Sequence, residues 1–244
     1  MSANPGPRAP SVRRARRTLG DALTLRIDPI LVATGTARLT PLIRSRRAAV
    51  RRLGLPRQWE QRLMRLVRET HPFVLDDTLY PDRSPISSSG KFRRLASLVE
   101  HLDAPELSAW WQEGIERLAT GRTLKVKFTP FSPDGILRTR AELDRYLDAY
   151  LLPLITSIRE RGYVEDLAGT PGEVTVGPRG EIEKGERATH RFIIAHLLDV
   201  RDVPVRVVFV HEDWWATSTS GRTDRQRLAS AVDALRGVAE AHRR

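Results

Sequence analysis

Between Lys184 and Arg191 the chain sets a glycine turn, two arginines, a threonine hydroxyl, a carboxylate and an imidazole within eight positions: Lys184-Gly185-Glu186-Arg187-Ala188-Thr189-His190-Arg191. A helix starting at Gly185 or Glu186 would place Arg187 and Arg191 four apart on one face, where like charges cost about 0.2–0.5 kcal/mol. Its N-terminus would disfavour positive charge by roughly a further 0.3–1 kcal/mol. An anion in that place removes the conflict, because backbone N–H groups, the helix dipole and two guanidinium forks then converge on a phosphate or carboxylate. In that reading Gly185 lets the backbone approach, Arg187 and Arg191 grip oxygens and Thr189 adds its hydroxyl. Glu186 and His190 are then the candidates for metal positioning or proton transfer. The alternative is internal: Glu186 neutralises the arginines and the turn is architecture.

Such a turn needs a strand before it and a helix after it. The spacing predicts a short strand over Val174 to Val176, a turn over Gly177 to Gly180 and a returning strand over Glu181 to Glu183. Thr189 to Asp199 is apolar almost all round, as a buried helix would be, and Val203 to Val210 is a β-branched run suited to a central strand. Upstream, Leu124 to Phe128 alternates apolar and basic residues like a half-buried strand. Thr139 and Glu142 make a capping box for a long helix that Pro153 should kink and Gly162 should stop. The last helix begins near Thr223.

The order of these elements resembles the ParB/sulfiredoxin-like superfamily. The residues that carry the resemblance are Ser157-Ile158 with Gly162 four positions on, Gly185-Glu186-Arg187 at a helix entrance, and Val203-Pro204-Val205-Arg206-Val207-Val208 after a short loop. It covers about 90 residues, Leu124 to Val210. It implies a turn that cradles nucleotide phosphates, with NTP hydrolysis or phosphoryl transfer in some members and Mg2+ accompanying a nucleotide. Ala188 stands where the family's turn has a second arginine, and His190-Arg191 supply basic groups one turn later. No E-N-x-x-R-like motif follows, which puts CTP switching in doubt. Sulfiredoxin chemistry needs a cysteine, and the chain has none. That same absence removes disulfides and thiolate metal sites.

The N-terminal part has a different character. Residues 1–70 hold 16 arginines, no lysine and four acids, a net charge of +12, whereas residues 71–244 sum to −1. Met1 to Arg17, with Pro5, Pro7 and Pro10 followed by four arginines, reads as a mobile tail. Two helices are expected between Pro41 and His71, the second basic and amphipathic with Trp59, Leu63, Leu66 and Val67 on one face. Pro72 to Ser87 reads as a loop. Ser88 or Ser89 caps a helix bearing Leu95 and Leu98. Asp103 and Glu106 mark the start of the next, with Trp110 and Trp111 as core. Ser88-Ser89-Gly90-Lys91-Phe92 lacks the glycine and strand of a P-loop, and Phe92 stands where a magnesium ligand should be.

No histidine pair has the i, i+4 spacing of a metal site, so no metal ligands are assigned; His196 reads as a satisfied core histidine and His211-Glu212-Asp213 as a charged turn. Trp214 and Trp215 are expected to cover a sheet edge. The fold expected is α+β: a mostly helical N-terminal part, then a small mixed-sheet ParB/sulfiredoxin-like module and a C-terminal helix. Its divisions are a basic tail over 1–18, a helical region over 19–122, the module over 123–220 and the last helix over 221–244. No apolar run approaches the roughly 20 residues needed to cross a bilayer, so a cytoplasmic protein with no membrane partner is expected. Its function is expected to be binding of a nucleotide or other phosphorylated ligand at the Gly185–Arg191 turn. The alternative is a nucleic-acid-binding or DNA-processing protein that uses residues 1–70.

Overall fold

The computed structural model describes residues 10–36, 41–80, 83–126, 132, 134–163, 171–185, 187–219 and 224–243. It is a mixed α+β fold built on one seven-stranded sheet. At its centre lies β9 (Val203–His211), whose Val203, Val205, Val207 and Val210 are at most 1% exposed. One edge of β9 pairs in parallel with β7 (Gly172–Val176), which pairs antiparallel with β8 (Ile182–Lys184). The apolar run of β9 has the composition that suits a strand covered on both faces.

The other strands of this sheet come from the N-terminal segment read as mostly helical, two of them, Val74–Leu75 and Arg83–Pro85, from its Pro72 to Ser87 stretch read as a loop. The second edge of β9 takes β1 (Thr24–Ile27) antiparallel along Val203–Arg206 and β3 (Val74–Leu75) in parallel at Val210 and His211. Outside β8 lie β2 (Thr34–Thr36), parallel to it, and then β4 (Arg83–Pro85). These strands are two to four residues long. Pairing with a neighbour defines them, and no period of 2 could establish itself in so few residues. With those edges filled, β5 (Leu124–Lys125) pairs instead with β6 (Ile136–Leu137) in a separate two-stranded sheet, not with the central one. Phe128, expected in the same strand as Leu124, lies outside the described residues.

The Arg-rich start is also not all tail. Ser11 Oγ accepts the Arg14 N–H and caps α1 (Val12–Leu19), which buries Val12, Ala15 and Leu19 at helical spacing. Those three apolar groups offset the ordering cost that the flanking arginines suggested was unmet. Next come α2 (Pro41–Arg52) and α3 (Arg57–Glu69), then α4 (Gly90–Glu100), capped by Ser89 as expected. The helix α5 (Ala109–Ala119) starts later than the Asp103/Glu106 pattern suggested. Pro105–Leu107 forms a separate 3-10 turn, and Ser108 Oγ accepts the Trp111 N–H as the cap.

The Thr139–Glu142 capping box opens α6 (Arg140–Tyr146). Its continuation α7 (Leu152–Arg161) follows a π turn over Leu147–Leu151 and stops at Gly162, φ 69°. Pro153 has no N–H to give the turn before it, and the wider turn absorbs that loss. The helix α8 (Thr189–Leu197) buries Phe192, Ile193, Ile194 and Ala195 all round and packs on α4 and α7. His196 is the expected core histidine, with Nδ1 3.0 Å from the Pro29 carbonyl. Finally α9 (Glu212–Thr219) buries Trp214 beside Gly180, and α10 (Asp224–Ala241) packs on α9 and β1. No helix among the described residues is long and apolar enough to cross a membrane.

Candidate anion-binding site

The Gly185–Arg191 turn is tied down from inside. Gly185 donates its N–H to the Glu173 carbonyl at 2.7 Å, and a Cβ at Gly185 would stand 2.9 Å from that oxygen, so only glycine fits. The buried Lys184 ammonium donates to the carbonyls of Gly185 (2.6 Å), Arg187 (2.5 Å) and Glu173 (3.3 Å). Carbonyls gathered on an ammonium are the reverse of an anion cradle, which needs N–H groups turned inward. Ala188 sits in the left-handed region, φ 56°, at a cost of about 1–2 kcal/mol for a residue with a Cβ. The helix therefore begins at Thr189.

That left-handed residue changes the geometry expected of the arginines. Arg187 is outside the helix and does not share a face with Arg191. Its Nε lies 3.3 Å from Glu173 Oε1, and Arg68 approaches Oε2 at 3.8 Å. Burial holds the nearby Arg16 guanidinium below its ordinary pKa; Glu173 opposes that shift, while Arg206 and Arg187 add to it. One carboxylate thus serves a cluster of arginines, the internal arrangement considered for Glu186 but supplied by β7. Arg191 is buried elsewhere, its guanidinium 5.9 Å from the Tyr163 ring centroid. Thr189 is half-buried at the first position of α8, and Glu186 lies outside the described residues.

His190 faces something different. It lines a cavity of about 810 Å³ together with Lys91 and Arg94 of α4, Arg117 of α5, and Arg122 and Lys125 at β5. Leu95, Leu124 and Trp110 supply its apolar wall, and no aspartate or glutamate lines it among the described residues. Arg117, Arg122 and Lys125 make no ion pair among the described residues. Arg94 shares Glu113 with Arg93, at 3.5 and 2.8 Å, and its guanidinium lies 6.0 Å from the Trp110 ring centroid. Trp110 Nε1 is buried, and no acceptor meets it among the described residues. Like charges around a shared space repel by about 0.5 kcal/mol per pair at ~8 Å in water, and by more where water is excluded.

Local sequence builds this wall. Lys91, Arg94 and Leu95 fall at i, i+3 and i+4 on α4, and Trp110 and Arg117 two turns apart on α5. Gly114 lets α5 approach α6: a Cβ there would stand 2.8 Å from Leu143 Cδ2.

Family models, characterised proteins and solved structures give no match to the chain.

The cavity was invisible to the charge count. Residues 91–125 carry six basic and five acidic side chains, a net of +1. The acids of that stretch lie elsewhere, and only the fold sorts the signs. The available signal was helical spacing of Lys91 and Arg94. The segment Ser88 to Phe92, rejected as a P-loop, is the capped start of α4, and its lysine lines the cavity.

A second polar cluster lies at the sheet. Glu183 is fully buried; Tyr80 Oη donates to its Oε2 at 2.8 Å and Arg83 Nε lies 2.9 Å from Oε1. Burial pushes the Glu183 carboxyl up, against the pull of Tyr80 and Arg83. Burial, and then the Glu183 charge, raise the Tyr80 phenol well above its usual range. His211, also buried, holds Asp77 at 3.1 Å and stacks edge-on to Tyr80. No group of three potential metal ligands occurs among the described residues, and His211-Glu212-Asp213 is a charged strand end.

Proposed function

We propose that this protein binds a phosphorylated small molecule, a nucleotide being the class that fits best, in the basic cavity between α4, α5, β5 and the start of α8. The observation that carries the reading is five cationic side chains around about 810 Å³ with no carboxylate among the described lining residues. A cavity of that size suits a ligand of nucleotide dimensions, since such sites run roughly 300–1,000 Å³. Lys91, Arg117, Arg122 and Lys125 supply charge for phosphate oxygens. Trp110, backed by Arg94, offers a ring for a base.

Of the described residues of the Gly185–Arg191 turn, His190 alone lines this space, and it is the candidate for proton transfer to a bound phosphate. Hydrolysis or transfer also needs a carboxylate for magnesium. Glu186 is the candidate for that role, so the reading is first of all one of binding. The ParB/sulfiredoxin-like resemblance implies the same ligand class, but at the Gly185–Arg191 turn and not in this cavity.

A thermal-shift screen of ATP, GTP, CTP and tripolyphosphate, each with and without magnesium, tests the reading. A ligand at a hundred times its Kd adds about 2.7 kcal/mol. At least one of these compounds is expected to raise the melting temperature. Failure of all of them, with free sugars and bases equally silent, would remove the proposal.

A further inference from the structure

We propose that the α2–α3 hairpin is a docking surface for an anionic lipid bilayer, on which the protein rests without crossing it. This surface is separate from the basic cavity, and the inference does not depend on what the cavity holds.

The hairpin exposes more large apolar side chains than the rest of the described fold. Leu53 (63%), Leu55 (39%), Trp59 (49%) and Leu66 (51%) are solvent-facing, and none of the described side chains of α3 is fully buried. Leu53-Gly54-Leu55 forms the turn between the helices, with Gly54 at φ 61°. Trp59, Arg62 and Leu66 continue along one stripe of α3, and the Arg62 guanidinium lies 5.1 Å from the Trp59 ring centroid. The apolar face expected for Trp59, Leu63, Leu66 and Val67 thus has Trp59 and Leu66 turned to solvent. Of the other helices, α2 packs on α3 and α3 on α1, which leaves the tip uncovered by the described residues.

Charge decides between possible occupants. Residues 41–70 carry nine arginines against Glu60 and Glu69, a net of +7. Both glutamates are already engaged, with Arg51 and Arg65, at 3.2 Å each. A nucleic acid would use the arginines, and a single strand could stack on Trp59, but neither would gain from the exposed Leu53, Leu55 and Leu66. A second copy of this chain would bring the same positive charge to the same surface. An anionic bilayer uses both components: headgroup phosphates take the guanidiniums, and the acyl boundary takes the leucines, with the indole at the interface.

The test is flotation of the full chain with vesicles of phosphatidylcholine alone and with about 30% phosphatidylglycerol, whose surface potential attracts basic segments. Binding is expected to be roughly tenfold or more higher on the anionic vesicles, and to fall as salt shortens the Debye length. Leu53→Ser with Trp59→Ser should cut the bound fraction about fivefold or more by removing the apolar contact. Arg44→Gln with Arg46→Gln should weaken binding and flatten its salt dependence. All four residues are exposed, so urea melts of both variants should match the parent. Equal binding to neutral and anionic vesicles, or none to either, overturns the proposal. So does a Leu53→Ser/Trp59→Ser variant that floats like the parent. Salt-sensitive binding to duplex DNA with no vesicle binding would make the hairpin a nucleic-acid surface, and a dimer lost on Leu53→Ser/Trp59→Ser would make it a self-contact. Either result also overturns the lipid reading.

Discussion

The two arginine-rich neighbourhoods beside α8 differ in what closes their charge. At the sheet, Arg187 and Arg68 share Glu173, Lys184 holds three carbonyls, and Arg83 holds Glu183. In the cavity, Arg117, Arg122 and Lys125 meet no carboxylate among the described residues, and Arg94 has only part of Glu113. Charges of the first kind maintain the fold. Those of the second kind, at Arg117, Arg122 and Lys125, are held exposed at the surface with water alone to solvate them among the described residues. Sequence spacing alone drew attention to the first group; compensation, visible only in three dimensions, separates the two.

Substitution should expose the contrast, most strongly at the sheet. Lys184→Met takes a charged donor from the Gly185 and Arg187 carbonyls, the Glu173 carbonyl keeping the Gly185 N–H, and should cost on the order of 3 kcal/mol in urea denaturation at pH 7. Glu173→Gln removes the one carboxylate that Arg68 and the half-exposed Arg187 share, and is expected to cost about 1–2 kcal/mol in the same assay.

Glu183→Gln should do much less at pH 7, about 1 kcal/mol or under, because it keeps an acceptor for Tyr80 while removing a carboxylate that burial disfavours. Its pH dependence carries a definite sign. The folded-state pKa of Glu183 is raised above 4.5, so its favourable contribution is fully present below pH 4.5 and is lost as pH rises through the folded value. The variant should therefore gain on the parent as pH rises from 4 to 7, and a parent that gains instead would mean that Arg83 and Tyr80 outweigh burial.

Much of the architecture was legible because it is written locally. Ser89, the Thr139–Glu142 box and Gly162 each act within one helical turn, and the β-branched run of β9 needs no partner to be noticed. The strands β1 to β4 were not legible, because two to four residues become a strand only by pairing with β9, β8 or β2. The stripe Val12, Ala15, Leu19 was present but outweighed by its arginines. Ala188 is the instructive miss at the site. Nothing in its type foretells a left-handed conformation, yet that one residue moves the helix start and parts Arg187 from Arg191.

The most direct test of whether the open charges, and not the turn's arginines, hold the ligand is calorimetric titration of the strongest nucleotide from the screen. It should be run into the parent, Arg117→Gln/Arg122→Gln and Arg187→Gln. The cavity variant should melt within about 0.5 kcal/mol of the parent, as surface changes do. It should bind at least about tenfold more weakly, a loss of about 1.4 kcal/mol. Arg187→Gln should lose stability with the Glu173 pair and bind the nucleotide as the parent does. The reverse, unchanged affinity in the cavity variant and lost affinity in Arg187→Gln, would return the site to the Gly185–Arg191 turn and contradict this account.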